Sequence, residues 1–477
     1  MGKHTFALIC TPIFGFFMLA LGNGFLTTLV PLRLSAAGYS VQTIGYVSAA
    51  YYAGLCAGAL INERLLMRAG YIRAYACFCA LVAVTALIQA VWLDLYVWLV
   101  ARLLCGWATA GAFLVIESWL LSMGDGKTRG RILAFYMVAF YGAMTVGQLL
   151  IGPLNTPLSG SDAQLPFIFA AMIAALSLVP ITMIPRSAPL IEQQTPLPPW
   201  QLARITPTGS GGALGAGIMM GAIYSVLPLY LNHLADGAGS VVGVMMAVVV
   251  VGGMILQYPI GLWSDRTDRQ WVLIWLSALL VGFSALLPLL ALNHWTLGAG
   301  LFLFGGAAFA LYPVTISHAG DRAPAGAMVG MAQGMLFVNS LGSVLAGPLI
   351  SPLMERMGDN GFFVGSGLVF VLLALFFSWR RAQRSAPEPA APFPSMPTTP
   401  HVATRWAGTE EYWSETQQAH DEREAHLEDA EREKAEDWAW EREQEMLKEG
   451  SAEEELRLAR AGTDRARPQQ RGTEGSE

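Results

Sequence analysis

The chain has 477 residues, of which 54% are hydrophobic and only 13% charged, with a formal net charge of −6. That balance is too apolar for an ordinary soluble domain and offers no basic surface for nucleic acid, so no nucleic-acid partner is expected. The net charge averages two unlike regions: residues 1–384 hold 18 Lys and Arg against 12 Asp and Glu, net +6, and residues 385–477 hold 11 against 23, net −12.

A helix needs roughly 20 apolar residues to cross about 30 Å of hydrocarbon. Twelve runs meet that requirement, near 6–31, 40–61, 74–93, 97–121, 131–154 and 165–184, then 211–231, 240–262, 271–292, 296–317, 325–349 and 361–379. The first run follows Lys3, but its apolar core is too long for a cleaved signal, so a retained helix is expected. The runs are apolar on all faces and rich in Leu, Ala and Gly, which excludes the short alternating strands of a membrane barrel.

Polar groups inside such runs are costly in hydrocarbon, so each is a candidate for a cavity lining or a proton relay. The first run carries Asn23 and ends beside Arg33; the second carries Tyr52. The five cysteines, Cys10, Cys56, Cys77, Cys79 and Cys105, all fall in spans of the first half, without metal-like spacing, and read as small core residues with no metal site. The fourth run holds Arg102 and, in "FLVIESWLL", Glu117, which is the one acidic residue inside any predicted span. Burial disfavours the charged form of a carboxyl and a nearby cation favours it, so one such group can load and release a proton. Glu117 is therefore the first choice for proton coupling or substrate contact, the alternative being an ion pair with Arg129 or Arg131. Arg102 lies fifteen residues away, roughly 22 Å along a helix, too far to pair with it. Tyr136, Tyr141 and Gln148 in the fifth run, and Tyr224, Gln257, Tyr312, Gln333 and Asn339 in the second half, complete the cavity candidates.

The two sets of six repeat one another. "LVPLRL" from Leu29 faces "VLPLYL" from Val226, Ile44-Gly45 faces Val242-Gly243, and "GQLLIGPL" from Gly147 faces "GSVLAGPL" from Gly342, at offsets of 195 to 198. At offset 195 the counterpart of Glu117 is Tyr312, so the carboxylate belongs to one half only. The "GP" doublets read as a repeated bend. The expected architecture is an all-α integral membrane protein of twelve helices in two six-helix bundles: residues 1–184, a central cytoplasmic loop at 185–208, and residues 209–384. A Pro-rich linker and an acidic, helix-prone cytoplasmic tail at 385–477 follow.

With the amino terminus in the cytoplasm, Lys3, Arg64, Arg68, Arg73, Lys127, Arg129, Arg131, Arg186, Arg204, Arg266, Arg269, Arg322, Arg380, Arg381 and Arg384 face inward. Only Arg33 and Arg356 face outward. This bias places both termini in the cytoplasm. Internal repeats of this kind place a binding site near the midplane and expose it alternately to each side as one half rocks on the other. No GxxxxGK[ST] loop is present, so ATP does not drive the chain directly and no cofactor is expected. The remaining readings are gradient-driven transport, an uncoupled facilitator, and a membrane sensor signalling through the tail.

At these residues the chain resembles the major facilitator superfamily. "GLWSDRTDR", Gly261 to Arg269, is similar to that family's loop signature GxxxDRxGR, with Asp268 where a glycine is usual; "GALINERLLMRAGYIR" from Gly58 is its degenerate counterpart. "RLLCG" resembles the span-four motif RxxQG, with Cys105 in place of Gln. "VIESWL" together with "RGRILAFYMVAFYGAMTVGQLL" is similar to the YcaD-type permeases of bacterial inner membranes. The resemblance covers about residues 1–380. It implies secondary transport of a small molecule; protons are the co-substrate expected from Glu117, and a monomer is expected. It also implies that Gly261, Asp265, Arg266 and Arg269 form a cytoplasmic gating loop that latches that side shut.

Overall fold

The computed structural model describes residues 3–122, 129–154, 162–182, 199–290, 293–321 and 328–383. All of them lie in one compact unit, Met1–Thr409; the linker and tail expected beyond residue 384 lie outside the described residues. The described chain is helical: α1 Lys3–Ala36, α2 Val41–Ala69, α3 Tyr71–Val91, α4 Leu95–Ser122, α5 Arg129–Leu149, α6 Ile151–Leu154, α7 Leu165–Leu176 and α8 Leu178–Thr182. After α9, Pro199–Ile205, come α10 Pro207–Ser225, α11 Leu227–Leu234, α12 Gly239–Arg266, α13 Arg269–Leu290, α14 His294–Gly320, α15 Met328–Met357 and α16 Gly361–Gln383.

Among the described residues, ten segments are long and apolar enough to cross a membrane. The last of them, Gln333–Gln383, joins α15 and α16 through a short 3-10 turn at Gly358–Asn360. α5, Arg129–Leu149, carries a further apolar helical stretch at Ala134–Leu149.

Short-range chemistry sets the boundaries. Ser40 caps α2, its hydroxyl accepting the Thr43 N–H at 3.2 Å. Gly70, at φ 78°, ends α2 with its N–H on the Leu66 carbonyl and lets the chain turn at once into α3. Asn293 caps α14 through Trp295 N–H at 2.9 Å.

The repeated proline phrases behave differently in the two halves. α1 runs straight through Pro31, whereas the helix breaks at Val226 ahead of Pro228. At the "GP" doublets the helix is interrupted at Leu150 before Pro153, whereas α15 continues through Pro348 and Pro352.

Packing repeats where sequence does. α1 packs on α5, α2 on α4 and α3 on α7; in the second half α10 packs on α15, α12 on α14 and α13 on α16. The α2–α4 crossing is reciprocal: a Cβ on Gly54 would collide with the Leu103 carbonyl oxygen, and one on Gly106 with that of Tyr51. The α12–α14 crossing copies it through Gly252 on Phe302 and Gly305 on Val249. Only glycine lets backbones approach this closely.

These reciprocal contacts fix the register of α4 against α14 at an offset of 199, because Leu103 answers to Phe302 and Gly106 to Gly305. The counterpart of Glu117 is therefore Ile316, not Tyr312, and that of Arg102 is Leu301. The expectation from the 195 offset is corrected. Its consequence stands, since both counterparts are buried aliphatic side chains.

Two further crossings join the repeats to each other. Gly45 of α2 meets Gly347 and Ser351 of α15, while Gly243 and Ser240 of α12 meet Gln148 and Gly152 at the end of α5 and in α6. Both lie toward the helix ends remote from the arginine clusters.

Candidate functional site

α4 carries both charges that the sequence marks in a span, and the structure puts them in different surroundings. Glu117 is 4% exposed and accepts the Tyr136 hydroxyl on Oε1 at 2.9 Å. The Tyr136 ring stacks on Phe16 with centroids 4.4 Å apart, and Phe113 and Phe140 close the shell edge-on at 6.2 Å. The buried carboxyl is thus held by a phenol that itself belongs to an aromatic cluster drawn from α1, α4 and α5, and burial strengthens the hydrogen bond between them. The alternative pairing with Arg129 or Arg131 lies outside the described side chains.

Arg102 is 2% exposed and sits where α4 crosses α2, its guanidinium 4.3 Å from the centre of the Tyr51 ring. The Tyr51 hydroxyl donates to Asn23 Oδ1 at 2.7 Å, and the Tyr52 ring meets that of Tyr51 edge-on at 5.4 Å. Asn23, Tyr52 and Arg102 therefore form one cluster on α1, α2 and α4. Tyr51, which holds that cluster together, is not among the residues marked from sequence; the "YY" doublet was its only signal.

A second polar group bridges the repeats. Tyr141 of α5 donates to Gln257 Oε1 of α12 at 3.0 Å, and Phe309 of α14 packs against both Tyr141 and Tyr224 of α10, at 6.1 and 6.4 Å. Tyr224 is also within electrostatic reach of Tyr51 and Tyr52, so these groups converge on one central region.

Gln148 is used differently. Its Nε2 donates to the Gly24 carbonyl at 2.9 Å and its Oε1 accepts from Thr28 at 2.6 Å, which ties α5 to α1 and occupies both ends of the amide. Tyr312 and Asn339 are buried, with the Tyr312 hydroxyl and Asn339 Oδ1 unbonded among the described residues; Gln333 is half-buried with its Oε1 unbonded. Arg33 is buried at the far end of α1 from Lys3.

The loop between α12 and α13 forms a charge network. Arg269, with its side chain 2% exposed, donates to Asp321 at 2.9 Å and to Asp265 at 3.2 Å, and Arg381 pairs with Asp268 while lying over the Trp271 ring. Gly261 is buried and Arg266 exposed. Asp321, at the end of α14, completes the pairing of Arg269 and was not marked from sequence. Asp268, which replaces a usual glycine, gains a partner in the "WRR" that ends α16. All these groups belong to the second repeat.

Comparison with known proteins adds the following. The profile of the Major Facilitator Superfamily matches residues 13–338 and 210–415. An uncharacterized MFS-type transporter of Yersinia pestis (strain Pestoides F) is 34% identical over 366 residues, covering 76% of this chain and 93% of that protein. The uncharacterized MFS-type transporter YcaD of Escherichia fergusonii is 30% identical over 351 residues, 73% and 90% of the two chains. Among solved structures, the nucleoside transporter NupG aligns with a TM-score of 0.63 at 16% identity, over 79% of this chain and 99% of that one. A D-xylose-proton symporter aligns at 0.61 and 13%, over 78% and 97%.

Proposed function

The chain belongs to the Major Facilitator Superfamily, and from that premise we propose a proton-coupled secondary transporter that moves a small molecule by alternating access across the bacterial inner membrane. As a member of this family it is a multi-pass membrane transporter and not an enzyme. The finer reading takes twelve spans in two bundles of six, counting α5 with α6, α7 with α8, α10 with α11, and α15 and α16 separately. The repeated packing of α1 on α5 and α10 on α15, and of α2 on α4 and α12 on α14, supports that count. The fifteen-to-two bias of basic residues supports both termini in the cytoplasm.

Rocking is supported by where the repeats approach most closely. The Gly45–Gly347 and Gly243–Gln148 crossings lie toward the ends away from the arginines, so the halves can part at the basic end while these crossings hold the other. Gly261, Asp265, Arg266 and Arg269 are the cytoplasmic gating loop in this reading, held in shape by the Arg269–Asp321–Asp265 network within the second repeat.

The observation that carries proton coupling is Glu117: a buried carboxyl of the first repeat that accepts the Tyr136 hydroxyl, at a position where the second repeat has an isoleucine. Its test is substrate-dependent proton movement. Purified protein in vesicles with a trapped pH-sensitive dye is presented with a panel of small metabolites and drugs. The expected result is that a compound found to cross the membrane also moves protons, and that protein-free vesicles show neither flux. Transport of compounds with no accompanying proton movement overturns coupling and favours the facilitator.

A further inference from the structure

Arg102 is a buried cation with no anion beside it among the described residues. Its Nε and Nη1 have no hydrogen-bond partner, and no carboxylate lies within 4.0 Å of it among the described residues. The acid of its own helix, Glu117, is fifteen residues away and is engaged by Tyr136. A guanidinium cannot escape the difficulty by losing its proton, and an unpaired buried charge is strongly unfavourable. Arg269, a comparably buried arginine, shows the normal solution, with two carboxylates on it. Arg102 has instead the face of Tyr51, a contact that compensates only part of the lost hydration.

Its position is the second observation. Arg102 lies seven residues into α4, about 10 Å along the helix from its first residue, and is buried rather than exposed at the helix end. Around it are Tyr51 and Asn23, joined by a hydrogen bond that keeps the ring in place, and Tyr52, which lies within electrostatic reach of the guanidinium. Tyr224 and Tyr141, from the other helices of the central region, extend this surface with apolar ring faces and hydroxyls. The second repeat has Leu301 at the matching place, so the cation is no requirement of the helix crossing.

We infer that the transported molecule is an organic anion, whose carboxylate or phosphate is held by the fork of Arg102 and whose apolar or aromatic body lies against Tyr51, Tyr52 and Tyr224. The planar guanidinium presents parallel N–H groups that match two oxygens of either anion, along its Nε–Nη2 or its Nη1–Nη2 edge, and each edge includes one of the two unbonded nitrogens. The inference rests on the transport reading for the word "transported"; the anion site itself does not.

The test is binding by the purified full-length protein, read as thermal stabilisation with benzoate, indole-3-acetate and phenyl phosphate. Benzamide, indole-3-acetamide and phenol are the uncharged controls. At least one anion is expected to raise the melting temperature while its control does not. Carboxylate against phosphate is decided by which probe acts. In Arg102→Gln the anion-specific shift is expected to vanish, although the empty protein melts no lower than the parent, because no internal ion pair is broken. Arg102→Lys keeps the charge without the fork and should weaken the apparent affinity by about tenfold or more. Absence of an anion-specific shift across all three pairs, or its survival in Arg102→Gln, overturns the inference. Anion binding without flux in vesicles upholds the site and contradicts transport; flux of uncharged compounds alone, with no anion binding, does the reverse.

Discussion

α4 and α14 occupy the same place in the two repeats and cross α2 and α12 through the same reciprocal glycines, yet one is charged and the other is not. Arg102 and Glu117 stand where α14 has Leu301 and Ile316. The shared part is the part that geometry demands, since two backbones can approach this closely only without side chains between them. The unshared part is dispensable for packing, as the aliphatic counterparts prove by filling the same positions. Charges that a scaffold does not need, kept at a cost in solvation, are where its chemistry is to be sought.

The comparison breaks most visibly at the crossings. Gly106→Val and Gly305→Val each drive a side chain into a backbone carbonyl, of Tyr51 and Val249 respectively. Overpacking of this kind costs about 1–3 kcal/mol or more. Because backbone and not a flexible side chain is struck, both variants are expected to lose the monodisperse peak on size exclusion in detergent. Tolerance of one and not the other would mean that the two crossings are not equivalent.

Exchanging charge between the two helices comes next. Leu301→Arg buries a cation with no partner and should destabilise the protein by about 3–5 kcal/mol, whereas Arg102→Leu should leave the melting temperature within a few degrees of the parent. Equal damage from both would show Arg102 to be structural.

The loop network gives a smaller, graded effect. Asp321 and Arg269 are both buried, so Asp321→Asn should cost about 2 kcal/mol, the value of a hydrogen bond to a charged group. Asp265 is partly exposed and its contact is longer, so Asp265→Asn should cost below about 1 kcal/mol. Thermal melts of the two variants check that order. Smallest of all is Tyr136→Phe, which removes one donor from Glu117 and keeps the ring stacked on Phe16; transport should slow by about fivefold, equivalent to roughly 1 kcal/mol.

The glycines of this scaffold were partly legible in the sequence. Gly45, Gly243, Gly152 and Gly347 all sit in the repeated phrases, and the structure uses them for the two crossings between repeats. Repetition could mark them but could not say that Gly45 meets Gly347, because partners across a bundle leave no spacing signal along the chain. The register of α4 was misread for a related reason: the repeat offset drifts from 195 to 199 between helices, and only the contacts of Gly54 and Gly106 reveal the shift. The boundaries at Val226 and Leu150 were invisible because proline only weakens a helix within a packed bundle, as unbroken α1 and α15 show. Among candidate residues, Glu117 and Arg102 stood out because a charge in an apolar run is conspicuous. Tyr51 did not, since a tyrosine there is unremarkable until a guanidinium is found on its face.

The central claim is that the coupling proton rides on Glu117, in one repeat only. Its most direct measurement compares the parent and Glu117→Gln in reconstituted vesicles, with a compound that the parent accumulates, normalised to folded protein. Glutamine keeps the shape and the hydrogen bond to Tyr136 but cannot ionise. The expected result is loss of accumulation driven by a pH gradient, with exchange of labelled for unlabelled compound retained. Accumulation by Glu117→Gln that still follows the gradient would contradict the claim.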